Sequence, residues 1–309
     1  MIKRTIDISN GPTYLAIEND QLVLSREGAE VGRIPCEDIG ILLIDHYATV
    51  YTHVVMTRLM GYGAVVVLCG EKHLPTGLVL PMEGNDLMTQ RLLKQIECSA
   101  PLRKRLWQQV VRAKVRGQAE NLKGAGDGGG EKLDGREVAR RRLLNLAEEV
   151  RSGDPENAEG QAARFYWPAL MGDGFRRDRF GDWPNALLNY GYMVMRASVA
   201  RALVGAGLHP AFGLHHQNRG NAFCLADDLV EPLRPLVDAA VVRMLRPGLD
   251  TIGPEVKRAI LGLLTVETKV GDQSGPLMVG LHRMAASLWQ CYAGERTTIE
   301  LPEFTTVQT

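Results

Sequence analysis

Near residue 85 the chain changes its hydrophobic period, and that change limits the fold more than any other feature. Before it, apolar residues come in short alternating or continuous runs: "RTIDIS", "TYLAIEN", "QLVLSRE", "EVGRIP", "IGILLID", "AVVVLC" and "GLVLP". Asn10-Gly11-Pro12, Asn19-Asp20 and Glu27-Gly28 separate the first runs with residues that tolerate turn geometry. This spacing predicts short strands in a small sandwich or folded-over sheet, with a short helix over 51–61. After the change, "NDLMTQRLLKQIECS" places Met88, Leu92 and Ile96 four apart behind Asn85 or Asp86, the signature of a capped helix. Further helices are expected over 101–122, 134–150, 156–171, 184–206, 225–245, 254–265 and 272–293. Asp134 with Glu137 suits a capping box, and Pro184 suits a first helical position. "GAGDGGG" (124–130) reads as a flexible loop and lacks the following Lys-Ser/Thr of a phosphate-cradling loop. The tail "TTIELPEFTTVQT" is expected to fray. The expected fold class is α+β: an N-terminal β-sandwich-like domain over 1–85, then a larger all-α domain over 86–309.

Charge is balanced overall, with a formal net charge of zero, but it is unevenly placed. Residues 1–85 carry six Lys/Arg against ten Asp/Glu, whereas residues 101–119 carry six bases and no acid. Such a stripe can serve nucleic-acid phosphate, but taken alone a solvated helix face is the ordinary reading of a charge run. The five cysteines are widely spaced and form no C-x-x-C pair, so neither a zinc knuckle nor a disulfide framework is expected. No run approaches the ~18 apolar residues of a membrane span. No apolar core follows the basic pair in "MIKRTIDISN", so a signal peptide is not expected, and a reducing cytoplasm is the expected location.

The helical region holds an acidic and imidazole set. Glu159 opens "EGQAARFYW", His215 and His216 lie in "GLHHQNRGN", and Asp227, Asp228 and Glu231 lie in "LADDLVEPLRP". Asp228 and Glu231 are three apart and share one helix face, beside a stripe of Leu225, Leu229 and Leu233. Carboxylates bordering a buried stripe are costly unless paired. A divalent cation would pair them, since Mg²⁺ and Mn²⁺ favour carboxylate oxygen and Mn²⁺ accepts imidazole. Arg234 or Arg243 would also pair them, and so would water. Pro232 disfavours helical geometry at Glu231, so the helix bends there or Glu231 sits at a junction. Glu159 in a first helical turn is also explained by the helix dipole. Spacing alone does not choose between His215 and His216.

The segments "EGQAARFYWPALMG" (159–172), "NALLNYGYMVMRASVARALVGAGLHPAFGLHHQNRGNAFCLADDLVEPLRPLVD" (185–238) and the β-rich start leading into "AVVVLCGEKHLPTGLVLP" (64–81) resemble, in order, the CRISPR-associated adaptation integrase family, in its type II branch. The resemblance implies that 86–309 is a metal-dependent catalytic domain. It implies Mg²⁺ or Mn²⁺ held by Glu159, His216 and Glu231. His216 is preferred because relatives carry an aromatic or aliphatic residue at the position of His215. Asp228, His215 and Asn218 are expected as supporting or auxiliary groups. The implied activity is insertion of short foreign DNA fragments into the CRISPR array, by attack of a 3′-hydroxyl on a phosphodiester, with hydrolysis at the same site. The implied partners are a second copy bound through the β domain, the small second adaptation protein in a heterohexamer, double-stranded DNA (prespacer and repeat), and the type II effector nuclease. Arg103, Lys104, Arg105, Arg112, Lys114, Arg116 and Arg164 are the candidate DNA-phosphate contacts, with Arg176, Arg177 and Arg179 as further bases. Two other readings stand beside this one: a metal-dependent hydrolase of an unrelated substrate, and a non-catalytic DNA-binding scaffold.

Overall fold

The computed structural model describes residues 3–70, 75–82, 85–123, 135–245 and 250–304. The proposed loop at 124–130 and the capping Asp134 fall outside the described residues.

The N-terminal part forms two four-stranded sheets. One has the order β1 (Arg4–Ile8), β5 (Ile39–Ile44), β7 (Val65–Cys69) and β8 (Pro75–Val79). In it β1, β5 and β7 run parallel and β8 antiparallel. The other has the order β4 (Ala29–Pro35), β3 (Gln21–Arg26), β2 (Tyr14–Glu18) and β6 (Val50–Tyr51). Its hairpins close through Asn19-Asp20 and Glu27-Gly28, all four at positive φ. Two consecutive positive-φ residues give the tight turn whose twist matches paired strands.

Strand alternation explains why the first sheet is central. Leu42, Ile44 and Val66 face a small core shared with Leu15, Leu22, Ile34 and, from α1 (His53–Gly61), Val55 and Leu59. Ile41, Leu43, Val65 and Val67 face the opposite way, into the large helical core. A strand buried on both faces must be apolar throughout, as "IGILLI" is. The sandwich-like expectation thus holds for the two packed sheets, with a second apolar layer where the inner sheet meets helices.

The helical part comprises α2 (Met88–Ile96), α3 (Ala100–Asn121), α4 (Gly135–Glu149), α5 (Ala158–Met171), α6 (Asn185–Gly205), α7 (Cys224–Val230), α8 (Arg234–Met244), α9 (Pro254–Gly262) and α10 (Leu277–Ala293). Helix α6 is buried along most of its length and forms the axis of the region. Three expectations are corrected. The helix expected over 225–245 breaks into α7, a 3-10 turn at Glu231–Leu233 and α8, because Pro232 and Pro235 cannot donate to the helical ladder. The start of the helix expected over 272–293 is instead strand β10 (Gln273–Pro276), paired antiparallel with β9 (Glu267–Val270). The buried alternation of Thr268 and Val270 favours the hairpin. The tail does not fray through residue 304. The Ile299 amide donates to Gln109 Oε1 at 2.8 Å, Glu303 pairs with Lys269 in both directions, and Ile299 is buried.

The ammonium of Lys257 on α9 pairs with the Asp45 carboxylate at the end of β5, both side chains being almost fully buried. It ties the inner sheet to the helices through charges that water no longer solvates. Lys257→Met should therefore cost ~3–5 kcal/mol in urea unfolding, because it removes the cationic partner of a buried carboxylate. A loss under about 1 kcal/mol would contradict this.

Candidate active site

Glu159 owes its position to a cap. Asn157, at the left-handed φ of 53°, accepts from the Gly160 amide at 3.0 Å. Asp154 accepts from the Ala158 and Glu159 amides at 2.7 and 3.1 Å. These side chains satisfy the free amides of the first turn of α5 and leave the Glu159 side chain for another partner. That partner is Lys114, midway along α3, whose Nζ lies 2.6 Å from Glu159 Oε1.

The same ammonium donates to Glu231 Oε2. Glu231 opens the 3-10 turn that Pro232 forces on the chain, and its side chain is 5% exposed. Arg234 pairs with its other oxygen, Oε1, at 2.8 Å. Burial alone would push the Glu231 carboxyl up, but Arg234 and Lys114 outweigh it and hold it below the usual range. Burial alone would lower the Lys114 ammonium, yet Glu231 and Glu159 raise it above the ordinary lysine value. Arg234 lies over the Tyr192 ring at 4.4 Å. The Tyr192 hydroxyl donates to Asp238, and the Tyr166 hydroxyl donates to the same carboxylate at 2.9 Å. Burial pushes the Asp238 carboxyl up to about 6, against the pull of the two hydroxyls.

Asp228 builds the third corner. It is fully buried, and its Oδ2 accepts from the Leu214 and His215 amides at 2.6 and 3.0 Å. Its Oδ1 accepts from the His216 amide at 3.3 Å and the His216 Nδ1 at 2.5 Å. The loop can fold this tightly because residue 213 is glycine: a Cβ there would lie 2.3 Å from the His216 carbonyl oxygen. With Nδ1 engaged, Nε2 is the ring atom left for a ligand. The Asp228 hydrogen bond raises the His216 imidazole above the ordinary histidine value, against burial, and Glu231 and Glu159 add to the effect. His215 instead stacks on the buried Trp107 ring, 4.5 Å between centroids and 6° from parallel. The structure therefore distinguishes the two histidines, which spacing left equivalent.

Glu159 and Glu231 are thus brought onto one cation, with His216 in their field. Two carboxylates and an imidazole are a suitable donor set for a hard divalent ion, and an ammonium already sits between the carboxylates. As they stand, and among the described residues, no group of three or more His, Cys, Asp and Glu is arranged to hold an ion. Glu231 also fulfils the alternative expected from sequence, pairing with Arg234, while Asp227 pairs with Arg196 at 2.7 Å. The Asn218 side chain accepts from the Gly220 amide within its own turn.

The basic stripe divides. Lys104, Arg105 and Arg164 are exposed, and half-buried Arg103 lines a cavity of about 380 Å³ with His216, Asn218 and Arg219. Lys114 is not a surface phosphate contact, since its charge is enclosed by the two glutamates. Arg112 donates to the Glu148 and Val150 carbonyls, both at 3.1 Å, and Arg116 pairs with Glu148 at 2.7 Å. Arg177 turns inward, to Asn185 Oδ1 at 2.9 Å. Sequence reasoning missed the pairing of Lys114 because a basic residue in a basic run carries no sign of a distant acidic partner.

Comparison with known proteins identifies the family and the fold. The family model described as CRISPR associated protein Cas1 matches residues 7–251. A "CRISPR-associated endonuclease Cas1" from Neisseria meningitidis serogroup C is 36% identical over 289 residues, covering 93% of this chain and 91% of that protein. A second protein of that description, from Pyrobaculum aerophilum, is 30% identical over 237 residues, covering 75% and 80%. Among solved structures, a casposase bound to its integration product superposes with a TM-score of 0.78 at 18% identity, covering 100% of this chain and 96% of that one. A CAS1 protein from Thermotoga maritima gives a TM-score of 0.72 at 16% identity, covering 95% and 98%. These two likenesses concern the fold. On the extent of the family match and the identity to the Neisseria protein, the chain belongs to the CRISPR-associated Cas1 family.

Proposed function

We propose that this chain is a metal-dependent DNA integrase and endonuclease of CRISPR adaptation, of the type II kind. The observation that carries the reading is the convergence of buried Glu231 and capped Glu159 on one cation, beside an imidazole oriented by Asp228. Glu159, Glu231 and His216 would hold Mg²⁺ or Mn²⁺. When bound, the ion would offset charge growing on the scissile phosphate and the departing oxygen.

The chain's own residues do the rest. Asp228 fixes the tautomer and direction of His216, so that Nε2 stays free. Arg234 holds one Glu231 oxygen and leans on Tyr192, which keeps the carboxylate from turning. Exposed Lys104, Arg105 and Arg164, with Arg103, supply positive charge for the DNA backbone. In strand joining, a fragment 3′-hydroxyl forms a bond to phosphorus as the existing 3′-oxygen bond breaks, so one phosphodiester replaces another. Water in place of that hydroxyl gives hydrolysis. Neither reaction needs a covalent protein intermediate, and so neither needs a nucleophilic Ser or Tyr.

The partners follow the same reading: a homodimer through the β region, the small second adaptation protein in a heterohexamer, double-stranded prespacer and repeat DNA, and the type II effector nuclease. Tyr14, Tyr47, Val50, Tyr51 and Val54 are exposed around the β6 edge, an apolar surface suited to a second copy. A solved Cas6-RT-Cas1–Cas2 complex contains a chain of this fold, with a TM-score of 0.76 at 16% identity, covering 96% of this chain and 35% of that one. No described helix is long and apolar enough to cross a membrane.

Two measurements test this reading. In a half-site joining assay with fragment DNA, a repeat-bearing plasmid, Mn²⁺ and the small partner, Glu159→Gln, His216→Ala and Glu231→Gln should each lower joining by roughly a hundredfold or more. Circular dichroism should show each variant folded, and joining retained by a folded variant would remove that residue from the site. Separately, NMR titration of the metal-free protein should place the His216 midpoint above the ordinary histidine value, with Asp228→Asn lowering it. The sign follows from the raised folded value: the His216–Asp228 contact stabilises the fold below the ordinary value, and that contribution is lost as pH rises through the folded one. An unshifted His216 would contradict the orienting role given to Asp228.

A further inference from the structure

Lys114 occupies an unusual place for a residue in a basic run. Its side chain is 11% exposed, its Nζ lies 2.6 Å from Glu159 Oε1, and it also donates to Glu231 Oε2. An enclosed ammonium of this kind is closed to a DNA phosphate. It is more than a neutraliser of Glu231, because Arg234 already holds the other oxygen of that carboxylate.

The oxygens are therefore allotted. Arg234 takes Glu231 Oε1, while Lys114 takes Glu231 Oε2 and bridges to Glu159 Oε1. With two acids and two bases, the cluster is balanced in charge without any ion. A divalent cation that draws an oxygen from each glutamate meets Lys114 at the place where both are offered. Two positive charges cannot share those oxygens at close range in a partly buried site. Of the two bases, Lys114 is the one that can give way. Its ammonium is a point charge on a flexible four-carbon stem, whereas the Arg234 guanidinium is planar and lies over Tyr192. The exchange also explains why three side chains with the right chemistry are not arranged to hold an ion as they stand.

We propose that Lys114 is a resident counter-ion which holds Glu159 and Glu231 together in the metal-free protein and must be displaced when a divalent cation loads. The inference rests on the metal reading of this site and adds a competitor to it. Its consequence is that the affinity for the ion is a difference between two cations for the same oxygens, so the site discriminates against weak or transient loading.

The test is calorimetric titration of Mn²⁺ into the full-length chain, with melting temperature followed alongside. Lys114→Met should bind Mn²⁺ roughly tenfold or more tighter than the parent. It should also melt lower without metal, and recover on adding Mn²⁺. Lys114→Gln, whose amide still donates to one carboxylate, repeats the comparison with less disturbance to the metal-free fold. Lys114→Arg keeps the charge and should bind Mn²⁺ no tighter than the parent. Equal or weaker Mn²⁺ binding by both Lys114→Met and Lys114→Gln would overturn the exchange, as would tightening by Lys114→Arg equal to that of Lys114→Met. Glu159→Gln and Glu231→Gln separate the two levels of the argument. If they abolish Mn²⁺ binding while the uncharged Lys114 variants fail to tighten it, the exchange alone falls. If Mn²⁺ binding survives both glutamate changes, the metal reading falls and the exchange with it.

Discussion

A buried carboxylate, Glu231, sets the terms for the helical half of the molecule. An ionised carboxylate out of water is tolerable only with charge and hydrogen-bond partners on its oxygens. Arg234 satisfies one oxygen from the next turn of the same segment, and Lys114 satisfies the other from α3. For Lys114 to arrive, α3 must run close beside the 3-10 turn and the start of α8. Gly117 permits this, since a Cβ there would come within 3.1 Å of the Pro235 ring. Glu159 is drawn to the same ammonium from α5, so three segments distant in sequence meet at one point.

The surrounding network gives that point its stiffness. Asp228 ties three loop amides and one imidazole to α7. Asp238 gathers the hydroxyls of Tyr166 and Tyr192, the latter beneath Arg234. Each of these carboxylates is buried and each is spent on holding a neighbour, so the groups left for a substrate or an ion are few and directed. The inner sheet stands behind this arrangement. It buries Ile41, Leu43, Val65 and Val67 against the helices, and Asp45 pairs with Lys257.

Much of this was legible in the sequence where the cause was local. The turns at Asn19-Asp20 and Glu27-Gly28, the apolar strand "IGILLI" and the helix over 88–96 each follow from residues close together in the chain, although Ile96 is half exposed and Gln95 takes the buried position on that helix. Pro232 announced a junction at Glu231. What was not legible depended on distant partners. Parallel pairing of β1, β5 and β7 is set by crossovers through the second sheet and α1. The tail is ordered by Gln109 and Lys269, more than a hundred and about thirty residues away respectively. His215 and His216 are neighbours in sequence, and only the tertiary positions of Trp107 and Asp228 separate a stacked ring from an oriented one. Family resemblance favours His216, and Asp228 is the group that orients its ring. Nothing within α3 sets Lys114 apart from its basic neighbours, because the two glutamates that close on it lie on other segments.

In the proposed function, Glu159, His216 and Glu231 would share a single divalent cation in the place Lys114 now fills. Anomalous diffraction from crystals soaked in Mn²⁺ tests it most directly. The expected result is one manganese peak within reach of Glu159, Glu231 and His216, with the Lys114 ammonium withdrawn from the two glutamates. Lys114 still bridging the glutamates at saturating Mn²⁺, or a manganese peak that omits His216 or either glutamate, would contradict it.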